Sequence, residues 1–314
     1  MTHAKATLLL PARSRFPGGT LPAQVATALG RADRSQGQAG EAAQLRRHFQ
    51  VQPEAWSAAA LTRQADAGDA AGSLWLRADP ANVQPDMQGA RLMASAETLR
   101  LEPADVAALL PALQPLFAGF GFQLDAPTPS RWYLRLPDDT PLPAFTAPDR
   151  ALGDDLFEHL PEGDNGRRWR ALLTEAQVAL HQHPWNEQRV AQGLRAVNSL
   201  WFWGAGRLPQ SVRTGHAQVR SRDALLQGLA TMAGVRVDGP GPDDSRAVDA
   251  LVDLRQLRSL DQLARDAIAP LLEAIGRGEL RELLLDFEDG AAYRIHRGQR
   301  WRFWKKPLAA LHDE

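Results

Sequence analysis

Apolar positions recur with a helical period in three stretches of the chain. Val106, Leu109, Leu110, Leu113 and Phe117 form a stripe behind Pro103, predicting a helix over 103–117. Trp169, Leu172, Leu173, Ala176 and Leu180 predict a second over 165–181. Leu260, Leu263, Ala264, Ala267, Leu271 and Ile275 predict a third over 259–275, capped by Ser259 and kinked or split at Pro270. Shorter helices are expected over 22–29, with proline in the first turn, and over 222–233, where Gly234 suits a left-handed stop. The Ala-, Gln- and Arg-rich stretch from Gly30 to Gly72 predicts weak helices over 41–49 and 54–65. Short apolar runs predict strands at Leu8–Leu10, Ser73–Arg77, Trp132–Leu136, Ser199–Trp203, Leu251–Leu254, Leu283–Phe287 and Tyr293–His296. Strands alternating with helices argue an α/β fold. Prolines on both sides of the Trp132 strand mark loops, and Asp238-Gly239-Pro240-Gly241-Pro242 with the two following aspartates reads as a linker.

Composition narrows the function classes. The 314 residues suit one large α/β domain or two lobes. With 36 Lys and Arg against 37 Asp and Glu, the net charge of −1 gives no general affinity for nucleic acid or anionic lipid. The absence of cysteine removes disulfides, thiolate metal sites and cysteine nucleophiles. Leu8–Leu10 is far too short for a signal-peptide core and no 18-residue apolar run exists, so the expectation is a cytoplasmic protein without membrane insertion. No P-loop and no Gly-x-Ser-x-Gly elbow is present.

The most distinctive text runs His183-Pro184-Trp185-Asn186-Glu187-Gln188-Arg189, then Gly193, then Asn198-Ser199-Leu200-Trp201-Phe202-Trp203-Gly204-Ala205-Gly206-Arg207-Leu208-Pro209. A helix ends at His-Pro, and a short polar segment leads into a tryptophan-bearing strand. Gly204 and Gly206 allow a sharp turn or a close backbone approach to a ligand. Two readings stand side by side. In one, Asn186, Arg189, Asn198 and Arg207 converge on a polar or anionic ligand. In the other, the tryptophans anchor a strand and turn, and the polar groups satisfy loop backbone.

This segment resembles the archaeal-type cofactor-independent phosphoglycerate mutases, whose pattern runs His-Pro-x-Asn-x-x-Arg, Gly, Asn-(Ser)-x-Trp-x-Trp-Gly-x-Gly-x-x-Pro. The resemblance extends back through Leu152-Gly153-Asp154 and Leu160-Pro161-Glu162-Gly163 to Arg77-Ala78-Asp79-Pro80-Ala81-Asn82-Val83. Forward, it reaches Ser221–Ala230 and Gly234, covering roughly residues 75–240. Within that group the chain looks closest to the RpfE-type regulatory proteins of bacteria, sharing Leu-Trp-x-Trp-Gly-x-Gly-Arg-Leu-Pro and the C-terminal Trp301-Arg302-Phe303-Trp304. The resemblance implies an alkaline-phosphatase-like core. Residues 1–77 and 199–314 would form a mixed sheet flanked by helices, with 78–198 inserted as a smaller α/β lobe.

The mutases use a serine nucleophile and two divalent metals held by Asp and His. The expected positions are empty of that chemistry here. The first strand ends in Pro11-Ala12 rather than Asp-Gly, and 30–72 offers only Ser35 and Ser57, neither in a nucleophile turn. Asp253 continues into Leu254-Arg255 with no Asp-Glu-x-x-His, and Asp286 into Phe287-Glu288 with no Asp-His. His181 and His183 are the only closely spaced histidines and lack a nearby carboxylate, while Asp286 and Glu288 would share a strand face, as at a solvated strand end. The expectation is a catalytically degenerate core with no catalytic residues, metal or cofactor, and therefore no metal-dependent phosphoryl transfer. The ligand site would be His183, Asn186, Arg189, Asn198, Trp203, Gly204, Gly206 and Arg207, taking a small phosphorylated or carboxylate ligand. An active mutase, interconverting 2- and 3-phosphoglycerate with relocated catalytic groups, is the alternative. A further alternative is a binding module in Arg297–Lys306, five basic and three aromatic residues without an acid. That run reads as an edge strand with one buried aromatic face, or as a contact surface for a protein or a membrane; nucleic acid is not expected.

Overall fold

The computed structural model describes residues 4–16, 18–54, 56–87, 89–239, 249–308 and 310–311. The chain divides into two compact units, Met1–Glu54 with Ser211–Glu314, and Ala55–Gln210. Each unit is a sheet flanked by helices, a mixed α/β architecture.

The first unit is built on β1 (Lys5–Leu10), whose apolar run Leu8–Leu10 is what burial on both faces requires. β12 (Ala250–Asp253) and β13 (Glu282–Phe287) flank it, both parallel to it. Parallel strands β10 (Gln218–Arg220) and β11 (Arg236–Asp238) extend the sheet on the β12 side. On the other side, β14 (Ala291–His296) runs antiparallel to β13 and β2 (Asp33–Gln36) antiparallel to β14. A separate ribbon pairs β3 (Phe49–Gln52) with β9 (Ser211–Thr214). The helices are α1 (Ala23–Arg31), α2 (Glu41–Arg46), α8 (Ala224–Met232), α9 (Leu260–Gln262) and α10 (Ala269–Arg277). α9 passes through a π-turn, Leu263–Ile268, into α10, so the break expected at Pro270 falls just before it. There the ring removes a donor from the ladder. Leu8, Leu10, Val252, Leu263, Leu271, Leu285 and Phe287 lie in the core of this unit.

In the second unit, β4 (Leu74–Asp86) is the hub. It pairs antiparallel with β7 (Tyr133–Leu136), with β5 (Gly89–Ser95) and, on its other side, with β8 (Ser199–Arg207); β6 (Gln123–Asp125) adds to β7. Alternation along β4 sends Leu74, Leu76 and Ala78 into a core with α4 (Pro103–Gly119) and α6 (Gly163–His181). The predicted stripes do the packing there: Leu109, Leu113 and Phe117 from α4, Trp169, Leu172 and Ala176 from α6. Trp75 and Arg77 point the other way, toward α3 (Ala58–Ala67). α5 (Pro148–Ala151) and α7 (Trp185–Ala191) complete the unit.

Some expectations shift. Residues 41–49 and 54–65 hold the shorter α2 and α3, with strand β2 before α2 and strand β3 between the two helices. β4 runs unbroken through the expected lobe boundary at 77/78, and β8 pairs with it from Leu74–Arg207 to Ala81–Ser199, so both strands lie whole in the second unit. The aromatic tail is not an edge strand. Arg297–Trp301 is a 3-10 turn because Gln299 bonds back to the His296 N–H and His296 Nδ1 accepts from Gly298. Trp301, Phe303 and Trp304 are 64%, 79% and 68% exposed. Of the 238–244 linker, Pro240 onward lies outside the described residues.

Candidate functional site

In a parallel sheet the loops that follow the strands gather at the C-terminal edge, where α/β proteins place ligands. In the first unit two carboxylates stand at that edge. Asp253 of β12 and Asp286 of β13 both pair in register with Leu9 of β1, one on each side. They therefore sit at one level, two strand spacings or about 10 Å apart. Side chains of the chain itself already neutralise both.

Asp253, 3% exposed, receives Arg255 Nε at 2.8 Å and Nη2 at 3.0 Å, and the Ser221 hydroxyl at 2.6 Å. Arg255 also pairs with Glu41 of α2. Asp286, 1% exposed, receives Arg47 Nη2 at 2.7 Å and Nε at 3.0 Å, with His48 Nε2 at 2.6 Å. Burial by itself would raise both carboxyls. The hydrogen bonds from Arg255 and Ser221 hold Asp253 below the ordinary range, and those from His48 and Arg47 do the same for Asp286. His48 Nδ1 lies 3.2 Å from His216 Nε2, and burial together with His48 lowers His216 to about 4. Gln44 of α2 is fully buried and donates to both the Leu10 and the Asp286 carbonyls. The α2 segment thus lies across the ends of β1 and β13.

The dinuclear metal core implied by the resemblance does not fit these residues. Among the described residues no three His, Cys, Asp or Glu side chains are grouped to hold an ion. The two strand-end carboxylates direct their oxygens at guanidinium, imidazole and hydroxyl groups. Asp286 faces Arg47 and His48 rather than forming a solvated strand end with Glu288.

The second unit holds the segment singled out from sequence. Asn186 is buried, donating to the Leu180 and Val197 carbonyls and accepting from the Val197 N–H. Arg189, 2% exposed, pairs with Asp105 at 2.7 Å and donates to the Leu99 and Arg195 carbonyls. Asn198 exchanges two 2.8 Å bonds with the backbone of Val83. His183 Nδ1 accepts from the Trp185 N–H. Trp203 donates its indole N–H to Asp79 at 2.6 Å, and Asp79 is held by Arg77 at 2.8 and 2.9 Å. The glycines admit α3. A Cβ on Gly204 (φ +69°) would lie 2.9 Å from Ala58 Cβ, and one on Gly206 (φ +148°) 2.8 Å from Ser57 Cβ. Ser57 spans the contact, bonding the Gly204 carbonyl and capping α3. Arg207 is half exposed beside Asp138.

Asn198 and Arg207 stand at opposite ends of β8, roughly 25–30 Å apart along the strand, so they do not share one small ligand. Asn198 borders a hollow of about 760 Å³, whose walls also carry Arg170, Gln177 and His181. Arg47, His48, Gln44 and Arg255 were not foreseen. Arg255 follows Asp253 by two positions, a readable signal, whereas Arg47 meets Asp286 across 239 residues.

No family model matches the chain. Over 154 residues it is 30% identical to the 2,3-bisphosphoglycerate-independent phosphoglycerate mutase of Methanothrix thermoacetophila, a stretch covering 47% of this chain and 36% of that protein. The enzyme of the same description from Methanosarcina acetivorans is 29% identical over 154 residues, 46% of this chain and 38% of its own length. The chain resembles cofactor-independent phosphoglycerate mutases. It spans less than two-fifths of the length of these two curated relatives. Solved structures similar to the mutase-like chain include the PH0037 protein from Pyrococcus horikoshii, with TM-score 0.49 and 13% identity over 98% of this chain and 91% of that one. A cofactor-independent phosphoglycerate mutase from Thermoplasma acidophilum gives TM-score 0.43 and 15% identity, over 94% and 89%. No helix among the described residues is long and apolar enough to cross a membrane.

Proposed function

We propose that this mutase-like chain is a catalytically degenerate regulatory protein of the RpfE type, binding a small phosphorylated or carboxylate ligand or a protein partner in place of metal-dependent phosphoryl transfer. One observation carries the reading: Asp253 and Asp286, the carboxylates at the ends of the central parallel strands, are satisfied by Arg255 and by Arg47 with His48. A fixed guanidinium supplies the positive charge that a divalent ion would otherwise bring. It offers no exchangeable coordination position and does not acidify a serine hydroxyl or water. Ser221, the hydroxyl nearest these groups, donates to Asp253 and is fully buried.

The hollow beside Asn198 supports a ligand role in the second unit, since Arg170 and His181 supply cationic or donor groups above an apolar floor of Leu173 and Leu160. The names of the relatives favour the second reading, an active mutase.

Elemental analysis of the purified protein, followed by turnover of 3-phosphoglycerate with added manganese, separates the two. The expected result is no stoichiometric metal and no turnover; robust manganese-dependent turnover overturns the proposal. A thermal shift with 3-phosphoglycerate tests the ligand role. A ligand at about 100 times its dissociation constant adds about 2.7 kcal/mol, and Asn198→Ala should remove that gain.

A further inference from the structure

The first unit carries a surface that neither its sheet nor the mutase resemblance explains. Trp301, Phe303 and Trp304 are all largely exposed on one short turn after β14. At 64–79% exposure they present on the order of 400 Å² of aromatic surface within four residues of chain, the size at which a patch marks an interaction site. Arg297, Arg300, Lys305 and Lys306 flank them along the chain, all exposed, and none of the four makes an ion pair among the described residues. Arg302 is the exception, tied to Asp33 at 2.6 Å, which fixes the turn to β2. Beside the patch a 230 Å³ hollow opens between α1 and α10. Its lining includes Arg31, Arg297 and Arg300 together with Leu272 and Ile275.

We propose that this turn is a peripheral docking surface for an anionic phospholipid bilayer, with the aromatic side chains entering the headgroup layer and the four cations facing lipid phosphates. Two features favour lipid over nucleic acid. Phe303 meets Trp304 edge-on at 82°, so the rings form a wedge rather than a set of parallel faces on which bases stack. The Arg300 guanidinium covers the Trp301 ring at 4.8 Å, occupying the face a base would need. A tryptophan-rich wedge ringed by Arg and Lys suits the interface between water and hydrocarbon, where the rings keep their polar edges wet while the cations meet anionic headgroups.

Co-sedimentation of the full chain with vesicles tests this. Binding is expected to phosphatidylglycerol-rich vesicles and not to phosphatidylcholine alone, with a blue shift of tryptophan emission, and it should weaken when salt is raised to about 0.5 M. Lys305→Glu/Lys306→Glu should weaken it at least about tenfold, at roughly 1 kcal/mol per charge near the surface. Trp301→Ala/Phe303→Ala/Trp304→Ala should abolish it, while far-ultraviolet circular dichroism and the melting temperature stay unchanged because all three side chains are exposed. Equal sedimentation of wild type and the aromatic variant overturns the proposal. So does binding to a single-stranded oligonucleotide with none to anionic vesicles, or a failure of the wild type to bind any vesicle.

Discussion

Removing one member of the Arg77–Asp79 pair is expected to damage the second unit far more, per charge removed, than removing both. Arg77 is 3% exposed and Asp79 fully buried. Asp79→Leu leaves a guanidinium in the interior without its counter-charge, a rupture that destabilises by about 3–5 kcal/mol. The Trp203 indole N–H loses its acceptor as well, adding about 1 kcal/mol because Trp203 is only partly buried. Arg77→Met strands the carboxylate. Burial already pushes the Asp79 carboxyl up against the pull of Arg77 and Trp203, so protonation relieves part of that strain and about 3 kcal/mol remains. The double variant carries no buried charge. It loses the indole bond, the long 3.4 Å bond from the Trp132 N–H and the 3.2 Å bond from Arg77 to the Thr62 hydroxyl, together about 2 kcal/mol. The singles thus sum to about 8 kcal/mol against about 2 for the double, a large coupling for side chains in direct contact. Urea unfolding of all four proteins, followed by circular dichroism and tryptophan fluorescence, measures it. Additivity within about 0.5 kcal/mol would refute the reasoning, because it would mean that water solvates the pair.

Further outcomes concern the glycines, the strand-end carboxylates and acid. Gly206→Ala and Gly204→Ala are each expected to destabilise by about 2–4 kcal/mol, from the contact with α3 added to positive φ, whereas Gly121→Ala (φ +80°, open space) should lose only about 1 kcal/mol; similar melting temperatures for the three variants would contradict this. Arg255→Ala should lower stability by about 3 kcal/mol, and Arg255→Lys should recover only part, since an ammonium cannot span both Asp253 oxygens and Glu41; denaturation midpoints decide. His216 binds its proton in the native state only near pH 4, against an ordinary 6.5, so the unfolded chain takes up more protons between those values. Stability should therefore fall by about 1–2 kcal/mol as pH drops from 6.5 toward 4, after discounting for partial exposure, and His216→Leu should flatten that slope. The lowered Asp253 and Asp286 act further down: their contribution is complete above the ordinary carboxylate value of about 3.9 and is lost as pH falls through their native values.

The elements that sequence exposed are those whose burial leaves a period. α4 and α6 show stripes because one face of each meets a sheet, and β1, β12 and β13 show unbroken apolar runs because both their faces are covered. β2, Asp-Arg-Ser-Gln with all four residues exposed, has no such signature; only its pairing with β14 makes it a strand. β5 is likewise defined by β4. At the site, the tryptophan-glycine segment was visible, yet its polar side chains turn to neighbouring backbone, as Asn198 does to Val83. The carboxylates Asp253 and Asp286 were visible too. Their counter-charge from Arg47 and His48 was not, because that contact depends on where α2 comes to rest rather than on any spacing in the chain.

The place of β1 also dictates an order of events during synthesis. Its two neighbours, β12 and β13, are made more than 230 residues later, and every hydrogen-bonded register in the middle of the seven-stranded sheet waits for them. All strands of the sheet around β4, by contrast, lie between residues 74 and 207. On the ribosome that sheet can close while Leu8, Leu9 and Leu10 still lack their partners. Those leucines form an apolar segment left open until the strands from Ala250 onward have emerged, a stretch in need of protection over that interval.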